Sequence, residues 1–128
     1  MKNYTDINQS KKLAEILPLE SADMTWEQVA DSLEQSFVWK PTIGLNSAIK
    51  NNSFSYRNNY ILPCWSLATL LNVIPEEVHL DGSSKQSYWY CEYVDSNCKS
   101  YTGESADNPI DACYNLILKL YELNLLEL

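Results

Sequence analysis

The strongest structural signal in the chain is NPIDACYNLILKLYE, residues 108–122. Asn108 is a good N-cap, Pro109 fits the first helical position, and Asp111 lies in the first turn, where the helix dipole favours an anion. One apolar face continues along the whole segment. It comprises Ile110, Cys113, Tyr114, Ile117, Leu120 and Tyr121. The pattern predicts a C-terminal helix over about 109–122 that buries this face.

The segment before this helix alternates with a period of two, which is typical of strands. Residues 86–94, QSYWYCEYV, are rich in aromatic side chains that favour a pleated surface. One face would carry Trp89, Cys91 and Tyr93, and the other Tyr88, Tyr90 and Glu92. With Val78 and Leu80 before a turn at 81–84, and a second turn at 95–97 leading to 98–102, we predict a three-stranded antiparallel meander over about 77–103. The C-terminal helix would cover it.

The N-terminal third predicts helices. Asp6 and Gln9 form a capping-box pattern before an apolar-periodic run, so we expect a helix over Ile7–Leu17 that ends at Pro18. Thr25 and Gln28 repeat the capping signature and predict a second helix over Trp26–Ser36. A short extended strand over Ser21–Trp26 is the alternative for this region.

The middle of the chain contains one helix signal and one long region without periodicity. Leu67, Leu70, Leu71 and Ile74 recur three to four residues apart and predict a helix over Ser66–Asn72, bounded by Pro75. Residues 40–60 contain turn-forming residues and no apolar period, so we predict a long loop there.

Together these elements predict an α+β fold: N-terminal helices, a central helix, the meander and the covering C-terminal helix. A chain of 128 residues with 45% apolar residues is the usual size and composition of one folded domain. We therefore predict a single domain over 1–128.

The charge of the chain restricts its partners. Nine Lys and Arg stand against seventeen Asp and Glu, giving a net charge of −8, and no basic stripe gathers the cations. Direct binding to nucleic acid or to an anionic membrane is therefore disfavoured. An acidic surface that mimics nucleic acid, and so occupies a host DNA- or RNA-binding protein, is an alternative function.

The cysteines offer weak support for a metal site or a catalytic nucleophile. Zinc sites use ligands at short spacing, whereas Cys64, Cys91, Cys98 and Cys113 are scattered, and we predict no metal ligands. Cys64 precedes a helix, where the dipole lowers a thiol pKa, but the only base available to it is His79, in a strand context. A cysteine-dependent enzyme using this pair is a disfavoured alternative.

Other catalytic patterns are equally weak. The carboxylates at turns and helix starts have structural uses that explain them; they are Glu76, Glu77, Asp81, Glu104, Asp107 and Asp111. Three glycines, far apart, cannot form a phosphate-binding loop. We therefore predict no catalytic residues, no cofactor and no enzymatic activity.

An interaction surface is a better use of the remaining residues. Tyr88 and Tyr90 would lie on the exposed side of the meander, and such side chains are enriched in protein interfaces. The last six residues contain four leucines, among them Leu125, Leu126 and Leu128. These leucines either pack back on their own domain or supply a surface for a homodimer or another partner.

Two segments, LPCWSLATLLNVIP (62–75) and ADNPIDACY (106–114), resemble a family of short uncharacterised proteins from phages and prophages of gut Bacteroides-type bacteria. Residues 9–13 and 21–24 are also similar, so the resemblance covers about half of the chain and leaves out residues 40–60. Because the family has no assigned function, the resemblance implies an origin and brings no site residues. With no signal sequence and no membrane-spanning run, we expect a cytoplasmic protein of a bacterial host.

These observations favour a non-enzymatic, phage-type accessory protein that acts through an unidentified protein partner.

Overall fold

The computed structural model describes residues 2–31, 36–44 and 61–126. The chain divides into two compact units, one comprising Asp6–Trp65 and the other Met1–Thr5 with Ser66–Leu128. The first of these units contains one α-helix and the second contains two, and each has one three-stranded antiparallel sheet, so the α+β class is confirmed. The expectation of a single domain over 1–128 stays a prediction.

Helix α1 (Ile7–Ile16) begins with the predicted capping box. The Gln9 backbone N–H donates to Asp6 Oδ1 at 2.8 Å, and the Asp6 N–H donates to Gln9 Oε1 at 3.1 Å. These bonds satisfy two donors that a helix start leaves unpaired. Leu13, Ala14 and Ile16 form its buried side, and the chain leaves the helix just before Pro18.

Strand β1 (Met24–Asp31) is the centre of the first sheet, between β2 (Ser36–Ile43) and β3 (Ile61–Cys64). Both neighbours are antiparallel to it, and Trp26 lies opposite Pro41 on one side and Leu62 on the other. The two prolines of this sheet, Pro41 and Pro63, stand in its outer strands, where a missing N–H is tolerated.

The predicted helix over Trp26–Ser36 is therefore wrong, since the described part of that segment lies in strands. Thr25, interpreted as an N-cap, donates its hydroxyl to the Gly44 carbonyl at 2.8 Å, and its carbonyl accepts from Thr42 Oγ1 at 3.3 Å. Both partners lie more than fifteen residues along the chain. Pairing with two strands satisfies the backbone of β1 and overrides a local capping signature.

The predicted loop over 40–60 is wrong at its start. Residues 40–43 continue β2, whereas residues 45–60 lie outside the described part of the chain. The alternative strand predicted over Ser21–Trp26 is closer to the structure, in which Leu19–Ser21 form a short 3₁₀ turn and β1 begins at Met24.

The second unit begins with helix α2 (Leu67–Val73), close to the predicted Ser66–Asn72, with Ser66 as its N-cap. The meander follows as β4 (Glu77–Ser83), β5 (Tyr88–Val94) and β6 (Ser100–Thr102), paired in that order. This confirms the three-stranded meander predicted over about 77–103.

The first turn of the meander lies later than predicted. Residues 81–83 belong to β4 and pair with residues 88–90 of β5, so the chain turns over 84–87 instead of 81–84. Gly82 continues the strand because it has no side chain: a Cβ there would lie 2.6 Å from Trp89 Cδ2. The second turn is held by Asp95 Oδ1, which accepts from the N–H groups of Asn97 and Lys99.

Helix α3 (Pro109–Glu122) has the predicted Asn108 cap, whose Oδ1 accepts from the Asp111 N–H at 2.9 Å. It packs on β5, which confirms that the helix covers the meander. Its fully buried side chains are Ile110, Ala112, Cys113, Leu116, Ile117 and Leu120. Tyr121, predicted on this face, is 45% exposed. The buried face includes Leu116 and Ala112 instead, so Tyr121 lies at its edge.

The helix ends in a Schellman motif. The Leu125 N–H donates to the Leu120 carbonyl at 2.9 Å, the Asn124 N–H donates to the Tyr121 carbonyl at 3.1 Å, and Asn124 has a φ of 56°. Within the described residues, no helix has the length and the apolar character required to cross a membrane.

Candidate functional site

The meander presents two chemically different faces. The side chains that alternate away from α3 form what we call the outer face. It carries Glu77, His79, Asp81 and Ser83 on β4, Tyr88, Tyr90, Glu92 and Val94 on β5, and Ser100 and Thr102 on β6. No Lys or Arg stands at these described strand positions, so the outer face combines two aromatic rings with three carboxylates.

Asp81 organises the centre of the outer face. Its Oδ1 accepts from the Gly82 N–H at 2.8 Å, and its Oδ2 accepts from the Tyr90 hydroxyl at 3.2 Å. The negative charge of Asp81, together with this hydrogen bond, raises the pKa of Tyr90 above its ordinary value. The phenol therefore stays protonated and continues to donate to the carboxylate throughout the physiological pH range.

The two tyrosines form a pair. The ring centroids of Tyr88 and Tyr90 are 6.3 Å apart with the planes tilted by 58°, and Tyr88 is 51% exposed. A groove of about 480 Å³ opens beside Tyr90, lined also by Val78, His79, Leu80, Asp81 and Glu92. His79 Nε2 lies 2.9 Å from Glu77 Oε1 at its end. The groove is shallow, mainly polar and bordered by acid.

The inner face of the meander is used for packing. Cys91 and Tyr93, which the alternation placed on one face, are buried there, and the Tyr93 ring stacks on Tyr101 at 5.8 Å between centroids. Lys99 Nζ lies 5.2 Å from the Tyr101 ring centroid. The Trp89 indole N–H is buried and has no hydrogen-bond partner within the described structure.

The cysteines lie in different environments. Cys64, Cys91 and Cys113 are buried, Cys98 is exposed, and none of the four is in a disulfide. Cys113 Sγ lies 3.6 Å from Cys91 Sγ, where α3 crosses β5. We did not predict this pair, although the sequence pattern places Cys91 on one strand face with Trp89 and Tyr93, and Cys113 on the buried face of the helix that covers the meander.

The residues considered for catalysis have burial and contacts that fit structural roles. Cys64 ends β3 and is fully buried, whereas His79 is exposed on β4 beside Glu77. Asp111 accepts from Asn108 and forms an ion pair with Lys2 at 2.8 Å. Asp107 accepts from Asn108 Nδ2. Over residues 2–31, 36–44 and 61–126, no group of three or more His, Cys, Asp or Glu could hold a metal ion.

A second groove, of about 470 Å³, lies between β6 and α3. Two of its polar side chains form hydrogen bonds: Lys119 Nζ donates to the Thr102 carbonyl at 2.7 Å, and Asn115 Nδ2 donates to the Glu104 carbonyl at 3.1 Å.

The predicted leucine surface is divided. Leu125 and Leu126 are half-buried after the Schellman motif, and Leu128 lies outside the described residues. Leu123, by contrast, is 48% exposed. The predicted contact of Leu125, Leu126 and Leu128 with a partner stays a prediction.

Comparison of the chain with protein-family models, with curated proteins and with solved structures gives no match.

Proposed function

We propose that this protein has no catalytic activity of its own and acts by binding another protein through the outer face of the meander. The observation that carries the proposal is the Tyr88–Tyr90 pair, in which Tyr88 is exposed and Tyr90 half-buried, with Asp81 and Glu92 on the same face of the meander. Its partner would present a basic segment that contains arginine.

The chemistry of the outer face supports an arginine-containing partner. A guanidinium can stack on a tyrosine ring and at the same time form paired hydrogen bonds with a carboxylate. Tyr90 and Asp81 are held together by their own hydrogen bond, so ring and carboxylate are ordered before any partner arrives. Preorganisation of this kind lowers the entropic cost of association.

The charge of the whole chain supports the same partner. A net charge of −8 attracts a basic segment over distances of about a Debye length and accelerates encounter. The same charge disfavours acidic partners, which contributes to specificity.

A peptide array with paired variants would test the proposal. Peptides of equal length, rich in Arg, in Lys or in Glu, would be probed with the wild-type chain, with Tyr88→Ala/Tyr90→Ala and with Tyr121→Ala. Tyr121 is the matched control, because it is an exposed tyrosine on a different element. We expect the Arg-rich peptides to bind best and the double variant to lose at least tenfold in affinity, while Tyr121→Ala binds as the wild type does.

Equal binding by the double variant and the wild type would refute the outer face as the site. Absence of any preference for Arg-rich over Glu-rich peptides would refute the chemistry of the proposed partner. Asp81→Asn with Glu92→Gln, compared with the exposed Glu15→Gln, would separate the contribution of charge from that of the rings.

We further propose that the protein is an accessory protein of a phage or prophage. The similarity of residues 62–75 and 106–114 to short phage proteins supports this origin. Neighbouring genes that encode phage functions would agree with it, and a housekeeping operon would contradict it.

The acidic decoy is a second candidate, favoured by the three carboxylates that share the outer face. In that case the partner's basic segment would be its own nucleic-acid-binding surface. A competition experiment distinguishes the two candidate functions. Duplex DNA or RNA would displace the chain from a decoy target, whereas an ordinary partner would bind the chain and the nucleic acid at the same time.

A further inference from the structure

A close pair of cysteine sulfurs lies in the core between β5 and α3. Cys91 and Cys113 are both fully buried, and their sulfurs are 3.6 Å apart. A disulfide requires about 2.05 Å between sulfurs, so closure needs a movement of about 1.5 Å. Small side-chain rotations about Cα–Cβ supply movements of this size. The two residues also lie on separate elements, so a bond between them would cross-link helix and strand.

We propose that Cys91 and Cys113 form a reversible oxidation site that takes a small hydroperoxide as its oxidant. In the first step the Cys91 thiolate attacks a peroxide oxygen, the O–O bond breaks, and a sulfenic acid and hydroxide form. The Cys113 sulfur then attacks the Cys91 sulfur, the S–O bond breaks, and water leaves with the proton from Cys113. The pair loses two electrons, which reduce the peroxide.

The hydrogen bond within the pair assigns the order of these steps. Cys113 donates its S–H to Cys91, which lowers the pKa of the Cys91 thiol, although burial opposes the effect. The same hydrogen bond, together with burial, raises the pKa of Cys113. Cys91 is therefore the sulfur that ionises first and attacks the oxidant, and Cys113 is the sulfur that resolves the sulfenic acid.

Burial selects the oxidant. With no exposed surface on either sulfur, reagents reach the pair through local opening of α3, which favours a molecule as small as hydrogen peroxide over glutathione. The nearby resolving thiol then competes with further oxidation of the sulfenic acid. The exposed Cys98 has no such neighbour among the described residues and is the internal comparison.

Peptide mapping of the Cys98→Ser chain tests the proposal. Trypsin cuts after Arg57, Lys85, Lys99 and Lys119, so Cys64, Cys91 and Cys113 fall in three separate peptides, and Cys98→Ser leaves Cys91 alone in its own. The folded chain would be treated with hydrogen peroxide, quenched with acid, unfolded, alkylated and digested. We expect one cross-link, between the peptides 86–99 and 100–119, that dithiothreitol removes, with Cys64 recovered as an alkylated thiol.

Closure should also stabilise the fold, because the bond closes a loop of 22 residues. We expect the Tm of the oxidised chain to lie roughly 10 °C above that of the reduced chain. The additional Cys113→Ala change should abolish both the cross-link and the rise in Tm.

Recovery of Cys91 and Cys113 as alkylated thiols from the oxidised, folded chain would overturn the proposal. Accumulation of Cys91 sulfinic acid without the cross-link would also overturn it, since Cys113 would then not resolve the sulfenic acid. Neither result depends on the binding function of the outer face.

Discussion

The two faces of β5 differ although their residues alternate within seven positions of one strand. Cys91 and Tyr93 lie under α3 in a packed core, whereas Tyr88 and Tyr90 face away from the helix beside Asp81. Both faces are aromatic, so composition alone does not distinguish them. What differs is what surrounds the rings: aliphatic side chains and sulfur on one face, carboxylates and solvent on the other. Whether an aromatic residue of β5 packs in the core or is available for binding depends on which face of the strand it occupies, and the face alternates from one residue to the next.

The largest expected difference in stability is between two alanine variants, each of which removes one tyrosine from one face of β5. Tyr93→Ala removes a buried ring that stacks on Tyr101 and should lower the free energy of unfolding by about 3–5 kcal/mol. Tyr90→Ala, on the outer face, should cost less than about 1 kcal/mol. Urea unfolding at 25 °C, followed by far-UV circular dichroism, measures both. Equal losses would mean that the two faces do not differ in their structural role.

A smaller loss of stability is expected for a substitution at Gly103, where α3 lies against the end of β6. A Cβ on Gly103 would lie 2.5 Å from the Leu116 nitrogen and 2.7 Å from its Cα, and backbone atoms cannot turn aside as a flexible side chain can. Gly103→Ala should therefore cost about 1–3 kcal/mol of unfolding free energy. Ser105→Ala, at a nearby exposed position, is the control. A neutral Gly103→Ala variant would show that α3 does not approach the sheet this closely.

The smallest effect concerns the ionisation of Tyr90. Asp81→Asn removes the charge that raises this pKa, so the pKa should fall toward its ordinary value, with a smaller fall for Glu92→Gln. Because the folded-state pKa is raised, the associated stabilisation is present below about pH 10 and is lost as the pH rises through that pKa. The ¹³Cζ resonance of Tyr90, assigned with Tyr90→Phe, follows the titration. An unchanged pKa in Asp81→Asn would contradict the Asp81–Tyr90 interaction.

The sequence predicted the second unit better than the first, for a physical reason. Helix α3 is determined by neighbouring residues, since its cap, its first proline and its apolar stripe all lie within fifteen positions. The alternation in β5 is equally local, and Cys91 and Tyr93, which it placed on one face, are both buried. Strand β1 instead depends on partners in β2 and β3, and the Thr25 hydroxyl finds its acceptor nineteen residues away at Gly44. No local pattern contains that information.

The arrangement of the candidate site could be predicted in part. Tyr88 and Tyr90 lie together on one face, as the alternation indicated. Asp81 joins them because it is paired with Tyr90, and predicting this would require knowing which residues of β4 and β5 are opposite. The leucine tail was harder to predict, because the left-handed Asn124 that begins the Schellman motif is visible only in the backbone. The Cys91–Cys113 pair needed both elements to be combined in three dimensions.

An NMR titration tests the binding role of the outer face most directly. The ¹⁵N-labelled chain would be titrated with an Arg-rich peptide and, separately, with a Glu-rich peptide of the same length. We predict saturable shifts for the Arg-rich peptide that concentrate in residues 77–83 and 88–94, and none for the Glu-rich peptide. Shifts centred on α3 or on the first unit, or no shifts with either peptide, would contradict a basic partner at the outer face.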